Sequence, residues 1–380
     1  MTLMNDEFIP YGKQSIDEQD IEAVCKVLRS DWLTSGPSVT EFECALAAFV
    51  GATYGVAVNS GTAALHCAMY ALGIGQGDEV ILPTMTFAAT ANSIVFQGGT
   101  PVFADVNPAT LLIDIGCIEA LITSKTKAII VVDFAGQPCD YDVLRELSDK
   151  HSLALIADSC HALGAEYHGK RLGSQADMTV FSFHPVKPIT TGEGGMVVTA
   201  NKEYASRMRL FRNHGISTDF RQREEQGAWQ YEMVDLGFNY RISDIQCALG
   251  ITQLKKLPLF LEKREAVAKL YDQKFDTLSK ITPLKRLPDA KSAWHLYVVK
   301  LPDVAIREDA FNKMREAGIG VNVHYIPVHL HPYYRNNFAM SLGDCPIAEK
   351  VYESILTLPI WPGMTEKNVT TVVETLMECV

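Results

Sequence analysis

Apolar residues recur at helical spacing near the start of the chain: Ile21, Val24, Val27 and Leu28, then Phe42, Leu46 and Phe49. A polar break, Trp-Leu-Thr-Ser-Gly-Pro at 32–37, separates the two groups, so two amphipathic helices are expected across residues 16–49. The pattern then becomes one of short apolar runs at 55–58, 79–82, 101–104, 127–133, 153–157, 178–183 and 195–199, most of them separated by helix-like stretches. Such runs have the length of buried strands, and strands alternating with helices build a mostly parallel sheet covered on both faces. From Asp244 to about Leu278 a charged amphipathic helix is expected, with mixed strands and helices following to Val380. The expected fold class is therefore α/β, with a large domain over residues 13–250 around the sheet. A smaller α+β C-terminal domain over 251–380 is expected to take in residues 1–12. No internal repeat or low-complexity segment interrupts this order.

Composition narrows the possible partners. Of 380 residues, 47% are hydrophobic and 21% charged, the balance of a folded globular chain. The net charge of −11 offers no basic footprint for nucleic acid or anionic lipid, so neither is expected as a partner. Nine cysteines without CxxC pairs, together with the polar and interrupted start MTLMNDEFIPYGKQ, point to reduced thiols in a cytoplasm. No apolar stretch approaches the roughly 20 residues that span a bilayer.

In open α/β sheets ligands gather beyond the carboxyl ends of strands, and four segments place polar groups there. In AVNSGTAALH a strand runs into Asn59, Ser60, Gly61 and Thr62 and then a helix. The free N–H groups and positive dipole end of that helix make a phosphate site, unless Ser60 is only an N-cap. In LALIADSCHALGA a strand delivers Asp158, with His161 three residues later; the carboxylate either meets a ligand cation or caps a helix. In ILPTMTFAATANS, Phe87 lies just past a strand end, as a stacking surface for a flat ligand or as a core residue. In TVFSFHPVKPITTGEGG, Lys187 precedes Pro188, which biases it toward extended backbone, and Phe181, Phe183 and Val186 imply partial burial. Desolvation lowers a lysine's pKa and favours the neutral amine of Schiff-base chemistry, although this segment alone would also suit a solvated loop lysine. A phosphate site, a carboxylate for a pyridinium nitrogen, an aromatic face and a buried amine are together what pyridoxal 5′-phosphate requires.

With those residues in view, the chain resembles the DegT/DnrJ/EryC1/StrS family of nucleotide-sugar aminotransferases. LTSGP, NSGTAALH, PTMTFAATANS, DSCHALGA, FSFHPVKPITTGEGG, FRNHGI, GFNYRISDIQCALG and VHYIPVHLHPYY follow in the family's order over about residues 8–335. FSFHPVKPITTGEGG and KAIIVVDFAGQPCDYDVL are most similar to the family's pseudaminic acid branch. The resemblance implies the type I fold of pyridoxal-phosphate transferases, with Lys187 as covalent anchor and acid/base. It also implies that Ser182, Gly61 and Thr62 hold the phosphate, Asp158 pairs with the pyridine nitrogen, His161 meets the phenolic oxygen and Phe87 stacks on the ring. Asn239 and Arg241 resemble residues that reach across a homodimer interface into the neighbouring site. Tyr11, Leu33, Thr34, Ser35, Ser60, Val323, His324, Tyr325 and Ile326 match the region around the nucleotide sugar; Ser35 stands where many relatives carry glutamine.

The implied reaction moves an amino group from L-glutamate, leaving 2-oxoglutarate, to C4 of a UDP-4-keto-6-deoxy-N-acetylhexosamine. The alternative acceptor is another 4-keto or 3-keto nucleotide sugar, of a UDP-bacillosamine, UDP-4-amino-arabinose or dTDP-sugar pathway. Three rivals fit less well. A dinucleotide oxidoreductase needs GxGxxG at a strand-to-helix turn, whereas GIGQG at 73–77 follows a helix. A metal hydrolase using His324, His329 and His331 is opposed by Pro327 and Pro332, which break any helical ligand face, and no metal is expected. A sugar dehydratase relative would lack the lysine.

Overall fold

The computed structural model describes residues 8–218, 227, 229–276, 278 and 280–380. The first apolar stripe forms the helix Glu18–Leu28, opened by a capping box between Asp17 and Asp20. The second forms Pro37–Val50, with proline at its first turn and left-handed Gly51 ending it. Its N-terminus is satisfied from a distance: the Asp244 carboxylate accepts the N–H groups of Gly36 at 2.7 Å and Ser38 at 2.9 Å.

Among the described residues nine strands follow in the N-terminal two thirds: β1 Tyr54–Val58, β2 Glu79–Pro83, β3 Thr100–Ala104, β4 Thr126–Val132, β5 Ala154–Asp158, β6 Glu166–Tyr167, β7 Lys170–Arg171, β8 Met178–Ser182 and β9 Gly195–Thr199. Seven of them form one sheet in the order β1-β9-β8-β5-β4-β2-β3. Only β9 runs against its neighbours in this sheet; the other six share one direction. Their nearly continuous Val/Ile/Ala runs are buried on both faces by helices, as a parallel sheet requires. The common direction puts the residues after β1, β2 and β4, and the last residues of β5 and β8, along one edge. Asn59, Thr84, Asp133, Asp158 and Ser182 therefore share it.

The helix Asp244–Phe275 carries the chain from one core to another. Cys247, Leu254, Leu257 and Phe260 pack with Phe42, Phe181 and Phe183, whereas Val267, Ala268, Tyr271 and Phe275 pack with Tyr297, Leu356 and Val369. Residue 250, where the first domain was expected to end, lies inside this helix, and Gly250 is pressed against the Phe42 ring. Expected position 277 lies outside the described residues. The second core is built on a three-stranded antiparallel sheet of Thr282–Pro283, Tyr297–Lys300 and Ile355–Leu358. Of the first dozen residues, those described join this part: Ile9 exchanges backbone hydrogen bonds with Gly318 and Gly320, and Tyr11 accepts one from Ile360. Among the described residues no helix is long and apolar enough to cross a membrane.

Candidate active site

The helix Gly61–Leu72 begins at the end of β1, and the Ser60 hydroxyl accepts the Ala63 N–H at 3.1 Å. Ser60 is thus an N-cap, and the N–H groups of Gly61 and Thr62 at the positive end of the helix remain available. Ser182 closes against that end. A Cβ on Gly61 would lie 2.9 Å from Ser182 Cβ and 3.1 Å from its hydroxyl, so only glycine leaves the hollow open.

Asp158, the last residue of β5, is buried, and its carboxylate accepts the Thr90 hydroxyl at 2.7 Å and the Cys160 N–H at 3.2 Å. Behind it Asp133 is wholly buried and accepts from Ser159, Tyr141 and Cys139, which fixes the 158–161 turn. Burial pushes Asp133 up to about 6 despite those bonds. Phe87, at the start of the helix Ala88–Phe96, is 59% exposed, with its ring centroid 6.0 Å from that of Tyr325. It is therefore no core residue; a large apolar ring is presented at the site's edge.

Lys187 lies in the turn between β8 and β9, its N–H donating to the His184 carbonyl at 2.9 Å. Thr190 and Thr191 tie the far side of the turn to the Phe183 carbonyl. The side chain is half-buried, and burial lowers its pKa, an effect opposed by Cys160 and Asp158. That direction favours the neutral amine relative to a solvated lysine.

Three buried histidines face the lysine. His161 meets the Tyr325 hydroxyl through Nε2 at 3.0 Å, and its Nδ1 is buried with no partner. His324 is held by the Thr357 hydroxyl at 2.9 Å; burial and then the Lys187 charge bring it down to about 3. His295, which sequence reasoning did not single out, lies against His161 with ring centroids 4.5 Å apart and planes tilted by 45°. It precedes an ordinary apolar strand, so nothing local marks it. Tyr11 is half-buried with its ring 5.9 Å from His324, and burial raises its phenol. Val323 is half-buried and Ile326 43% exposed beside them.

Three of the remaining expected residues lie elsewhere. Thr34, Ser35 and Arg241 line a second hollow with Arg209, Arg212 and His214, and none of the residues around Lys187 lines it. Arg241 donates to Asn213 Oδ1 at 2.8 Å. Leu33 is exposed, its carbonyl accepting the Asp244 N–H, and Asn239 is exposed while its carbonyl accepts from Asn59. His329 is taken up by Thr84 and Glu349, and no group of three or more possible ligands for a metal ion occurs among the described residues.

Residues 14–377 match the model of the DegT/DnrJ/EryC1/StrS aminotransferase family. The chain is 42% identical, over 97% of its length and 96% of the relative's, to the UDP-4-amino-4,6-dideoxy-N-acetyl-beta-L-altrosamine transaminase of Campylobacter jejuni. It superposes with a TM-score of 0.91 on Helicobacter pylori PseC, an aminotransferase involved in pseudoaminic acid biosynthesis, at 35% identity over 98% of this chain and 99% of that one. A sugar aminotransferase of Streptococcus pneumoniae in its PLP-form matches with a TM-score of 0.92 and 33% identity, covering 98% of each chain.

Proposed function

The chain belongs to the DegT/DnrJ/EryC1/StrS aminotransferase family, and from that premise we propose that it moves the amino group of L-glutamate to C4 of a UDP-4-keto-6-deoxy-N-acetylhexosamine, in pseudaminic acid biosynthesis. Its cofactor is pyridoxal 5′-phosphate, as the family's enzymes require. The observation that carries the reading is Lys187, a half-buried amine of lowered pKa beside the Asp158 carboxylate.

The residues present fit the cofactor. The hollow that a Cβ on Gly61 would fill suits a phosphate held by Ser182 Oγ and the Gly61 and Thr62 N–H groups. Asp158 keeps lone pairs free beyond its two hydrogen bonds and would hold a pyridine nitrogen protonated. The orphaned His161 Nδ1 awaits a polar partner, and Phe87 offers a ring face. When bound, the group supplies a carbon that amines attack and a ring that spreads negative charge. Lys187 Nζ would anchor it and, once displaced by glutamate, accept the Cα proton. In the second half-reaction the same Nζ would deliver a proton at C4 of the sugar. Neutral His324 and the Tyr325 hydroxyl would line the sugar's side of the site.

Asn239 and Arg241 would complete the site of a second copy. For Arg241 this is supported by its place in a hollow that none of the residues around Lys187 lines, and for both by the exposed apolar side chains of Tyr231, Met233, Val234 and Leu236 in the same segment. A panel of 4-keto nucleotide sugars offered with glutamate tests the substrate. Mass spectrometry should find a mass change for replacement of keto by amino chiefly on the UDP-4-keto-6-deoxy-N-acetylhexosamine. Preferential turnover of a dTDP-sugar or a UDP-4-keto-pentose would refute the assignment.

A further inference from the structure

The Asp158 carboxylate lies at the end of a row of buried hydroxyls. Thr90, in the first turn of the helix Ala88–Phe96, is wholly buried, and its hydroxyl lies 2.7 Å from Asp158 Oδ2. Thr86, just ahead of that helix and also buried, meets Thr90 hydroxyl to hydroxyl at 2.8 Å. An ionised carboxylate only accepts hydrogen bonds, so the single hydrogen of the Thr90 hydroxyl goes to Asp158, and the Thr86 hydroxyl in turn donates to Thr90. Both hydrogens therefore point towards the carboxylate. Donors aligned in this way polarise one another, and a bond donated to the charged form of an acid favours that form.

The local backbone holds this row in place. The Thr86 N–H donates to the Thr84 carbonyl at 3.1 Å and the Thr90 N–H to the Phe87 carbonyl at 3.1 Å, while the Thr90 carbonyl accepts the buried Ser93 hydroxyl at 2.7 Å. Thr84, directly after β2, is itself tied down: its N–H donates to Ala104 and its carbonyl accepts from Val328. A threonine in a helix commonly satisfies its hydroxyl on the preceding turn of its own backbone; that of Thr90 goes instead to a residue 68 positions away. Phe87 sits between the two threonines, so one turn presents an exposed ring to the edge of the site and two hydroxyls to its interior.

We propose that Thr90, with Thr86 behind it, is a positioning residue for the transamination: the two hydroxyls hold the Asp158 carboxylate charged and aimed, so that the ring nitrogen it meets keeps its proton. Both act through Asp158. Its other oxygen, Oδ1, takes only the Cys160 N–H at 3.2 Å, so Thr90 supplies the one side-chain donor that Asp158 has among the described residues. The titratable groups that interact with the Asp158 charge are Lys187, Cys160 and Tyr325. Without the Thr90 donor the charged carboxylate is less well stabilised, and the proton it shares with the ring nitrogen moves towards it. A ring carrying less positive charge is a weaker electron sink, which slows removal of the Cα proton; it also holds the proton that titrates the visible band more tightly.

The inference rests on pyridoxal phosphate being bound at Lys187, and the test separates the two. Thr90→Val keeps the shape and removes the donor; Thr90→Ser restores a donor. Each holoenzyme is titrated between about pH 5 and pH 10 through its visible absorbance, kcat and KM are measured, and nitrogen-15 NMR of ring-labelled cofactor reports the ring nitrogen. The Val variant should keep the visible band with its midpoint raised by about half a unit or more, lose kcat about tenfold, and change KM for glutamate under about threefold. Its ring-nitrogen signal should move towards that of neutral pyridine. The Ser variant should stay near wild type in all of these. A Val variant that matches wild type overturns the proposal, as does one that loses kcat with midpoint and nitrogen signal unmoved, or a Ser variant impaired as badly as Val. Absence of a visible band in the wild type would instead strike the cofactor assignment. If Thr90→Val does not fold, Thr86→Val decides, since it keeps the bond to Asp158 and removes only the donor behind it: the midpoint should rise by about 0.3 unit, and an unmoved midpoint overturns the proposal.

Discussion

Asp158 holds two hydrogen bonds, and both survive in Asp158→Asn, because the Thr90 hydroxyl can turn to accept from the amide while Cys160 N–H keeps an oxygen. What the substitution removes is the charge. A buried carboxylate–cation pair broken from one side costs several kcal/mol, and each 1.4 kcal/mol or so taken from the transition state slows turnover about tenfold. Turnover should therefore fall at least about a hundredfold with fold and cofactor loading intact, as circular dichroism and absorbance would show; near wild-type kcat would leave Asp158 a structural residue. That Lys187, Asp158 and Gly61 lie at the carboxyl edge of the sheet was legible from their neighbours, a proline, a strand end and a helix start, whereas Ser182 came only from the family resemblance. His295 and Asp133 were not: His295 meets His161 and Gly136 from distant segments, and Asp133 is tied to the 158–161 turn through Ser159 as well as to the nearby Cys139 and Tyr141. Phe87 needed the structure to separate its two readings, and its exposure removes the core alternative.

The strands of the main sheet match their expected runs to within a residue at each end, because doubly covered strands are continuous apolar segments between turn signals. The long helix was legible too, but the passage between its two cores was not: it falls between Phe260 and Val267, where no break in composition marks it. On the helix Gly61–Leu72, His66 is enclosed by Phe96, Phe211, Phe238 and Tyr240, bonded to the Tyr240 hydroxyl at 3.1 Å and to Gln97. This box ties the helix to the segment carrying Asn239. Burial brings His66 down to about 4, whereas the unfolded chain binds that proton near 6.5. Its contribution to stability is therefore complete above about pH 6.5 and is lost as pH falls toward 4, because only the unfolded state is protonated in that window. Urea unfolding across that range should show stability falling with acid, and His66→Gln should make the slope shallower by up to one proton. An unchanged slope would mean that the ring is not held neutral.

At the scale of the whole molecule, the expected site residues divide between the Lys187 pocket and the hollow around Arg241. The proposed homodimer, in which each copy would complete the other's site, would account for that division. Lys187→Ala and Asn239→Ala subunits, each inactive alone, should then recover about one quarter of wild-type activity on equal random mixing, since half the dimers are hybrids with one intact site. Confirmed heterodimers without activity would show that the sites are not shared. The claim on which everything else depends is that one amine, that of Lys187, carries the cofactor and moves the proton. Borohydride reduction of the holoenzyme followed by peptide mapping by mass spectrometry tests it most directly. The pyridoxyl mass should appear on the peptide containing Lys187 and at that residue alone; the same mass on any other lysine, or on none, would contradict it.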